Sequence, residues 1–237
     1  MTVILETKDL SKSFGGAQVV DGINFRIEKG DTRCVIGPNG AGKSTFFKLL
    51  IGEHEPTRGQ VFFKGQNISK LLPHQRVAMG MSIKFQVPGV FAGLNVEEHL
   101  TLVLQRVPRI SELQEEIGVI LEDFHLRDER KVKAGNLSHG KKQWLEIAMA
   151  LALRPDVLLL DEPVAGLSDE ETQETGNLIN KLKSQGVTMM VVEHDMEFVR
   201  QVATQVTVLH GGRVFAEGPL KEILEREDVA EIYLGRR

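Results

Sequence analysis

The residues best equipped for chemistry are Gly37, Pro38, Asn39, Gly40, Ala41, Gly42, Lys43, Ser44 and Thr45, which together spell a G-x-x-x-x-G-K-[ST] run. Glycines let such a backbone curl until its N–H groups point at phosphate oxygens, and a following helix adds its positive end. Lys43 offers a mobile cation to the β and γ phosphates of a nucleotide. Ser44 offers a hydroxyl to Mg²⁺. The flanks suit this reading, with apolar Cys34-Val35-Ile36 before the run and helix-compatible Phe46-Phe47-Lys48-Leu49-Leu50 after it. A plain Gly-rich turn is the alternative; four fixed positions in a strand-loop-helix context favour nucleotide binding.

A second chemical element is Val157-Leu158-Leu159-Leu160-Asp161-Glu162. So dense an apolar run predicts a parallel strand buried on both faces, with its carboxylates emerging at the carboxyl edge where ligands bind. Asp161 would reach Mg²⁺ beside Ser44, directly or through water. Glu162, one residue on, would face the γ-phosphate and polarise the attacking water. Alone, Asp161-Glu162-Pro163 could simply stop a strand; the phosphate-binding loop upstream favours the functional reading.

The elements that must hold these residues alternate. Strands are predicted near 3–6, 19–28, 32–36, 60–63, 82–85, 157–160, 187–192, 205–209 and 213–216, and helices near 43–51, 96–106, 111–123, 139–153, 169–184 and 195–203. The fold class is therefore α/β. Residues 88–153 break the alternation as consecutive helices, and read as a helical subdomain inserted into the core. Gly211-Gly212 reads as a hairpin turn with no functional part.

Composition bounds the rest. With 237 residues, 41% of them hydrophobic, the chain can build one or two modest domains. A net charge of −4 gives no reason to expect nucleic acid as a partner. The single Cys34 excludes an internal disulfide framework and, beside Val35 and Ile36, reads as a buried strand residue; an intracellular setting fits. Residues 1–10 lack a basic-then-apolar signal pattern, and the longest apolar run, 147–153, is seven residues where a membrane span needs about 20. Any membrane association is expected to run through partners.

Between the two chemical elements stands Leu137-Ser138-His139-Gly140-Lys141-Lys142-Gln143-Trp144-Leu145-Glu146-Ile147. The order of phosphate-binding loop, Phe85-Gln86, Leu-Ser-x-Gly, Leu-Leu-Leu-Asp-Glu-Pro and Glu193-His194-Asp195 resembles the ATP-binding cassette (ABC) ATPases over essentially the whole chain. The resemblance implies a P-loop core with an antiparallel β-subdomain, the two together spanning 1–87 and 154–218, a helical subdomain at 88–153 and a tail at 219–237. It also implies two such units closing head-to-tail over two ATP molecules. By the same resemblance Phe14 falls where the family places an aromatic ring against adenine, a contact of about 1–3 kcal/mol that tolerates base identity. A core Phe closing the β-subdomain is its alternative reading. Gln86 matches the glutamine that reaches Mg²⁺ and the attacking water, and His194 the histidine that contacts the γ-phosphate. Ser138 and Gly140 match the signature that grips the γ-phosphate on the opposite subunit; Ser138 is also a good N-cap, so its helix would direct free N–H groups at an anion. On that helix Trp144, Ile147, Ala148 and Leu151 form a packing stripe. Lys141 and Lys142 read equally as phosphate contacts or as a solvated pair.

The sequence departs from the family's usual wording at His139, where a glycine is common, at Lys141, where glutamine is common, and at Ser168, where many members have the aspartate that couples the two sites. Neither metal ligands nor the base are lost, so hydrolysis is expected to persist while coupling between sites is less assured. The wording around Trp144, Asp-Glu-Pro-Val-Ala-Gly and Ile232-Tyr233-Leu234-Gly235 is similar to ATP-binding subunits of importers for urea and branched-chain amino acids, with His139-Gly140 and Gln143-Trp144 leaning towards urea. The implied partners are membrane-spanning subunits and a second, identical or different, ATPase subunit, at the cytoplasmic face of a membrane. A soluble cassette acting on chromosomes is the alternative, but it would carry a coiled-coil insertion where roughly 50 residues separate Gln86 from Ser138. Another P-loop switch or kinase is the third reading. A GTPase would need Asn-Lys-x-Asp, and Asn180-Lys181-Leu182-Lys183 lacks the carboxylate.

Overall fold

The computed structural model describes residues 2–86, 89–105 and 110–234. Strands β1 (Val3–Phe14), β2 (Ala17–Glu28) and β3 (Thr32–Ile36) open the chain, followed by α1 (Lys43–Ile51). Next come β4 (Arg58–Phe63), β5 (Gln66–Asn67), α2 (Pro73–Ala78) and β6 (Met81–Lys84). Helices α3 (Val96–Leu104), α4 (Ile110–Asp123) and α5 (His139–Ala152) follow, then β7 (Val157–Asp161), α6 (Asp169–Ser184), β8 (Met189–Val192) and α7 (Met196–Val202). The chain closes with β9 (Gln205–His210), β10 (Arg213–Pro219), α8 (Leu220–Leu224) and α9 (Glu227–Leu234).

Two sheets form. One is antiparallel, in the order β2-β1-β4-β5; the other runs β10-β9-β3-β8-β7-β6, all parallel except β10 against β9. The parallel sheet is covered on both faces, and β7 shows why its run is uniformly apolar. Val157 and Leu159 pack with α1 and the antiparallel sheet, while Leu158 and Leu160 pack into a second core with helices α3 to α7. Five hydrophobic side chains of α1 are fully buried in the first core, Phe46, Phe47, Leu49, Leu50 and Ile51, which holds the helix between the sheets. At its C-terminus Arg76, itself fully buried, donates to the carbonyls of Leu49 and Leu50 at 2.8 and 2.6 Å, satisfying helix-end acceptors that would otherwise be stranded.

The first strand is longer than the expected 3–6. It runs on to Phe14 because Thr7, Leu10 and Ser11 face inward while polar neighbours face out, and because register shifts break its alternation. Helix α2 and strand β5 were not legible, both being short. Helices α3, α4 and α5 appear where consecutive helices are expected, and among the described residues between β6 and β7 there is one isolated bridge, Asn95 to Lys133, and no named strand. Residues 220–234 fold into two helices that send Ile223 and Val229 into the core. The expected subdomain boundary at 87–88, the end of the 96–106 helix and Gly235 lie outside the described residues.

Candidate functional site

Parallel strands that finish in register bring distant loops to one edge. Val35 pairs with Val192, Asp161 with Val192, and Lys84 with Leu160. The phosphate-binding loop after β3, the carboxylates after β7, the 193–195 turn after β8 and Gln86 after β6 therefore all emerge from the same carboxyl edge.

The loop itself needs its glycines. Gly37, Gly40 and Gly42 all have positive φ, and a Cβ on Gly42 would lie 2.7 Å from the carbonyl oxygen of Val19. Lys43 is 7% exposed, and its ammonium sits inside the curl, donating to the carbonyls of Gly37 at 2.6 Å and Pro38 at 3.1 Å. Burial lowers its pKa, opposed by Glu162, Asp161 and Glu193, so the cation is anchored in the field of three carboxylates. Asn39, Gly40 and Ser44 are exposed, Thr45 is half-buried and Ala41 is buried. The hairpin at 211–212 turns out to touch this loop. Gly212 donates its N–H to the carbonyl of Ala41 at 3.2 Å, and a Cβ there would meet the Val19 carbonyl at 2.6 Å. The turn expected to be idle thus clamps the phosphate-binding loop against β2.

Opposite the loop, three predicted residues converge. Gln86 donates its side-chain amide to one carboxylate oxygen of Glu162 at 2.6 Å, and Nδ1 of His194 lies 3.7 Å from the other. Glu162 has φ +44°, in the left-handed region, so the chain turns sharply as it leaves β7. Asp161 is half-buried; burial and the neighbouring Glu162 push its pKa up to about 6, against the pull of Lys84.

Two residues here escaped the sequence reading. Glu193 is fully buried, and its carboxylate accepts from the amides of His194 (2.9 Å), Asp195 (3.3 Å) and Val164 (3.3 Å). It sets the turn on which His194 stands. Lys84 is also fully buried, and burial lowers its pKa to about 8. A lysine closing a short strand, one step before Phe85-Gln86, was the available signal.

Ser138 and Gly140 contact a different neighbour. Ser138 caps α5, accepting from the Lys141 amide at 3.2 Å, and a Cβ on Gly140 would sit 2.5 Å from a carboxylate oxygen of Glu171. Ser168 and Glu171 form a capping box on α6, and Nε2 of His139 lies 3.1 Å from the carbonyl of Ala165. Two of the three departures in wording are thus locally satisfied: Ser168 caps as an aspartate would, and the His139 ring fills space beside Gly166. Lys141 pairs with Glu129 and Lys142 donates to the Gly135 carbonyl at 3.2 Å, so both lysines have partners on the protein. Trp144 is 5% exposed and donates to Thr175 at 2.9 Å, a core residue with a satisfied N–H. Phe14 ends β1 with its ring 43% exposed, in edge contact with His54 and with the Lys12 ammonium 5.1 Å from its centre. It is a surface ring, not a core one.

The chain as a whole is similar to known proteins. The ABC transporter family profile matches residues 20–165. The chain is 34% identical to the branched-chain amino acid transport ATP-binding protein BraF of Pseudomonas aeruginosa, over 98% of each. It is 33% identical to the lipopolysaccharide export ATP-binding protein LptB of Acidithiobacillus ferridurans, over 99% of this chain and 98% of that one. Among solved structures, the ADP conformation of the ATP-binding cassette MJ1267 superposes with a TM-score of 0.87 at 30% identity, covering 99% of this chain and 100% of that chain. A nucleotide-free ABC transporter cassette gives 0.86 at 30% identity, covering 98% of each. The protein whose strand ends gather Lys43, Asp161, Glu162, Gln86 and His194 on one edge belongs to the ABC transporter family and has the ABC ATPase fold.

Proposed function

We propose that this chain binds Mg·ATP and hydrolyses it to drive a membrane importer for branched-chain amino acids or urea. The observation that carries the reading is the convergence of Gln86 and His194 on the Glu162 carboxylate, at the sheet edge that also bears the Lys43 loop. Lys43 and the loop amides would hold the β and γ phosphates, and the exposed ring of Phe14 would stack on the base. Glu162 would take a proton from the attacking water, with Gln86 orienting that water and His194 facing the γ-phosphate.

The donors near Lys43 suit a hard cation: the Ser44 hydroxyl, the Asp161 carboxylate and the Gln86 amide oxygen are all oxygen ligands. When bound, Mg²⁺ supplies charge neutralisation to the phosphates.

Ser138 and Gly140, at the start of α5, would grip the γ-phosphate of a second ATPase subunit in a head-to-tail dimer. Membrane-spanning subunits would dock from the cytoplasmic face; no helix among the described residues is long and apolar enough to cross a membrane. BraF is named for branched-chain amino acid transport and LptB, at similar identity, for lipopolysaccharide export; the importer reading rests on the wording of the sequence. The His139-Gly140 and Gln143-Trp144 wording is what points to urea. The test is Glu162→Gln, which keeps shape and removes the base. Hydrolysis should fall by about 10² to 10⁴ with ATP binding intact, and native membrane subunits should stimulate the unmodified protein. Wild-type turnover by the variant would leave the mechanism without a base.

A further inference from the structure

We infer that Lys84 is a positioning residue for Glu162, setting where the carboxylate leaves the sheet. The inference rests on the reading of Glu162 as the base. Lys84 is the last residue of β6, fully buried, beside Leu160 in the parallel ladder. Its ammonium donates to the main-chain carbonyls of Asp161 and of Glu162, each at 3.3 Å. These are the two peptides that flank the sharp turn at Glu162, whose φ of +44° an L-residue adopts only when its surroundings impose it. On the amide side the turn is pinned by the Glu162 N–H, which donates to Val192 at 2.9 Å. On the carbonyl side the Glu162 oxygen accepts from the Ala165 amide at 3.2 Å, and Lys84 adds a side-chain donor that bridges it to the Asp161 carbonyl. With both fixed, the carboxylate is delivered to Gln86 at 2.6 Å.

A buried ammonium is an expensive way to fill a strand position, since an apolar residue would pack there without desolvation. Its charge is opposed by Glu146, Asp161, Glu193 and Glu162. Glu146 is informative because it sits on α5, the helix that Ser138 caps, and is 6% exposed. Its carboxylate accepts the amide of Gly89, in the loop that carries Gln86, at 3.1 Å. Lys84 therefore lies where the signature helix, the Gln86 loop and the carboxylate turn meet, and its ammonium ties together the two carbonyls of the last of these.

Lys84→Met keeps the length of the side chain and removes its donors and charge. We expect kcat for ATP hydrolysis to fall at least tenfold while KM for ATP and calorimetric ATP affinity stay within about twofold, because the Lys43 loop is not touched. Glu146→Gln added to Lys84→Met removes the carboxylate left without its cation, so it should recover any lost thermal stability yet leave kcat low. Two results overturn the inference: a kcat within twofold of wild type in either variant, or a kcat that recovers together with stability in the double variant. Glu162→Gln measured in parallel separates the two levels. If it retains wild-type turnover, the base assignment fails; if it is inactive while Lys84→Met is normal, only the role of Lys84 fails.

Discussion

Gln86 and Glu162 are joined by a 2.6 Å hydrogen bond although 76 positions separate them, and the link crosses from the loop after β6 to the turn after β7. An amide donating to a carboxylate leaves its own oxygen free, so Gln86 can orient Glu162 while still presenting an acceptor to water or a cation. The two strands are neighbours in the parallel ladder, so the loop that leads into the helical region and the proposed base share one rigid support.

Lys43→Ala should weaken ATP affinity at least tenfold, because a charge-assisted contact of about 1.5–3 kcal/mol is lost. Isothermal calorimetry checks this. Equal affinity in both proteins would sink the phosphate-loop assignment.

The proposed head-to-tail dimer gives a test of the signature. Glu162→Gln should run as a monomer on size-exclusion chromatography without nucleotide and at least partly as a dimer with Mg·ATP. Adding Ser138→Arg should abolish the shift by placing bulk at the seam. A dimer that persists in the double variant would take Ser138 out of that contact.

Gly211 and Gly212 share a turn but should respond differently to alanine. Both have positive φ, yet a Cβ on Gly211 meets nothing within 4 Å while one on Gly212 meets the Val19 carbonyl at 2.6 Å. Gly211→Ala should cost about 1 kcal/mol, from backbone strain alone. Gly212→Ala should cost about 2–4 kcal/mol, with weaker ATP binding as Ala41 is displaced. Thermal melts with and without ATP separate the two; matched losses would contradict the clamp.

Glu97 offers a pH test away from the site. Hydrogen bonds from Arg130 (2.8 Å) and Lys131 hold its pKa down to about 2, from about 4.5 unfolded. A depressed carboxylate contributes stability above its unfolded pKa and loses it as pH falls through the folded value. Glu97→Gln should therefore lower Tm at pH 7, with the gap from wild type closing between about pH 4.5 and pH 2. A gap that stays constant over that range would show that the pair contributes no charge-dependent stability.

Much of the site was legible because its chemistry is local. A loop that wraps phosphate needs glycine, lysine and serine at fixed spacing, and a strand buried on both faces needs an unbroken apolar run before its carboxylates, so residues 37–45 and 157–162 announce themselves without any long-range contact. Alternation of strands and helices carried the α/β class in the same way. What the sequence by itself could not determine depends on partners distant along the chain. The outer part of β1 is polar and bulged, and it is a strand because Lys8 and Ser11 pair with Gln60 and Arg58. Arg76 reads as a surface cation until its guanidinium is found under the end of α1, and Gly212 as an ordinary turn residue until Val19 is found against it. Lys84 and Glu193 are charged residues that local pattern places in solvent; only the sheet order β3-β8-β7-β6 buries them together at one edge. The tertiary structure decided these because a buried charge is tolerated only where folding supplies its hydrogen-bond partners, and those partners come from other strands.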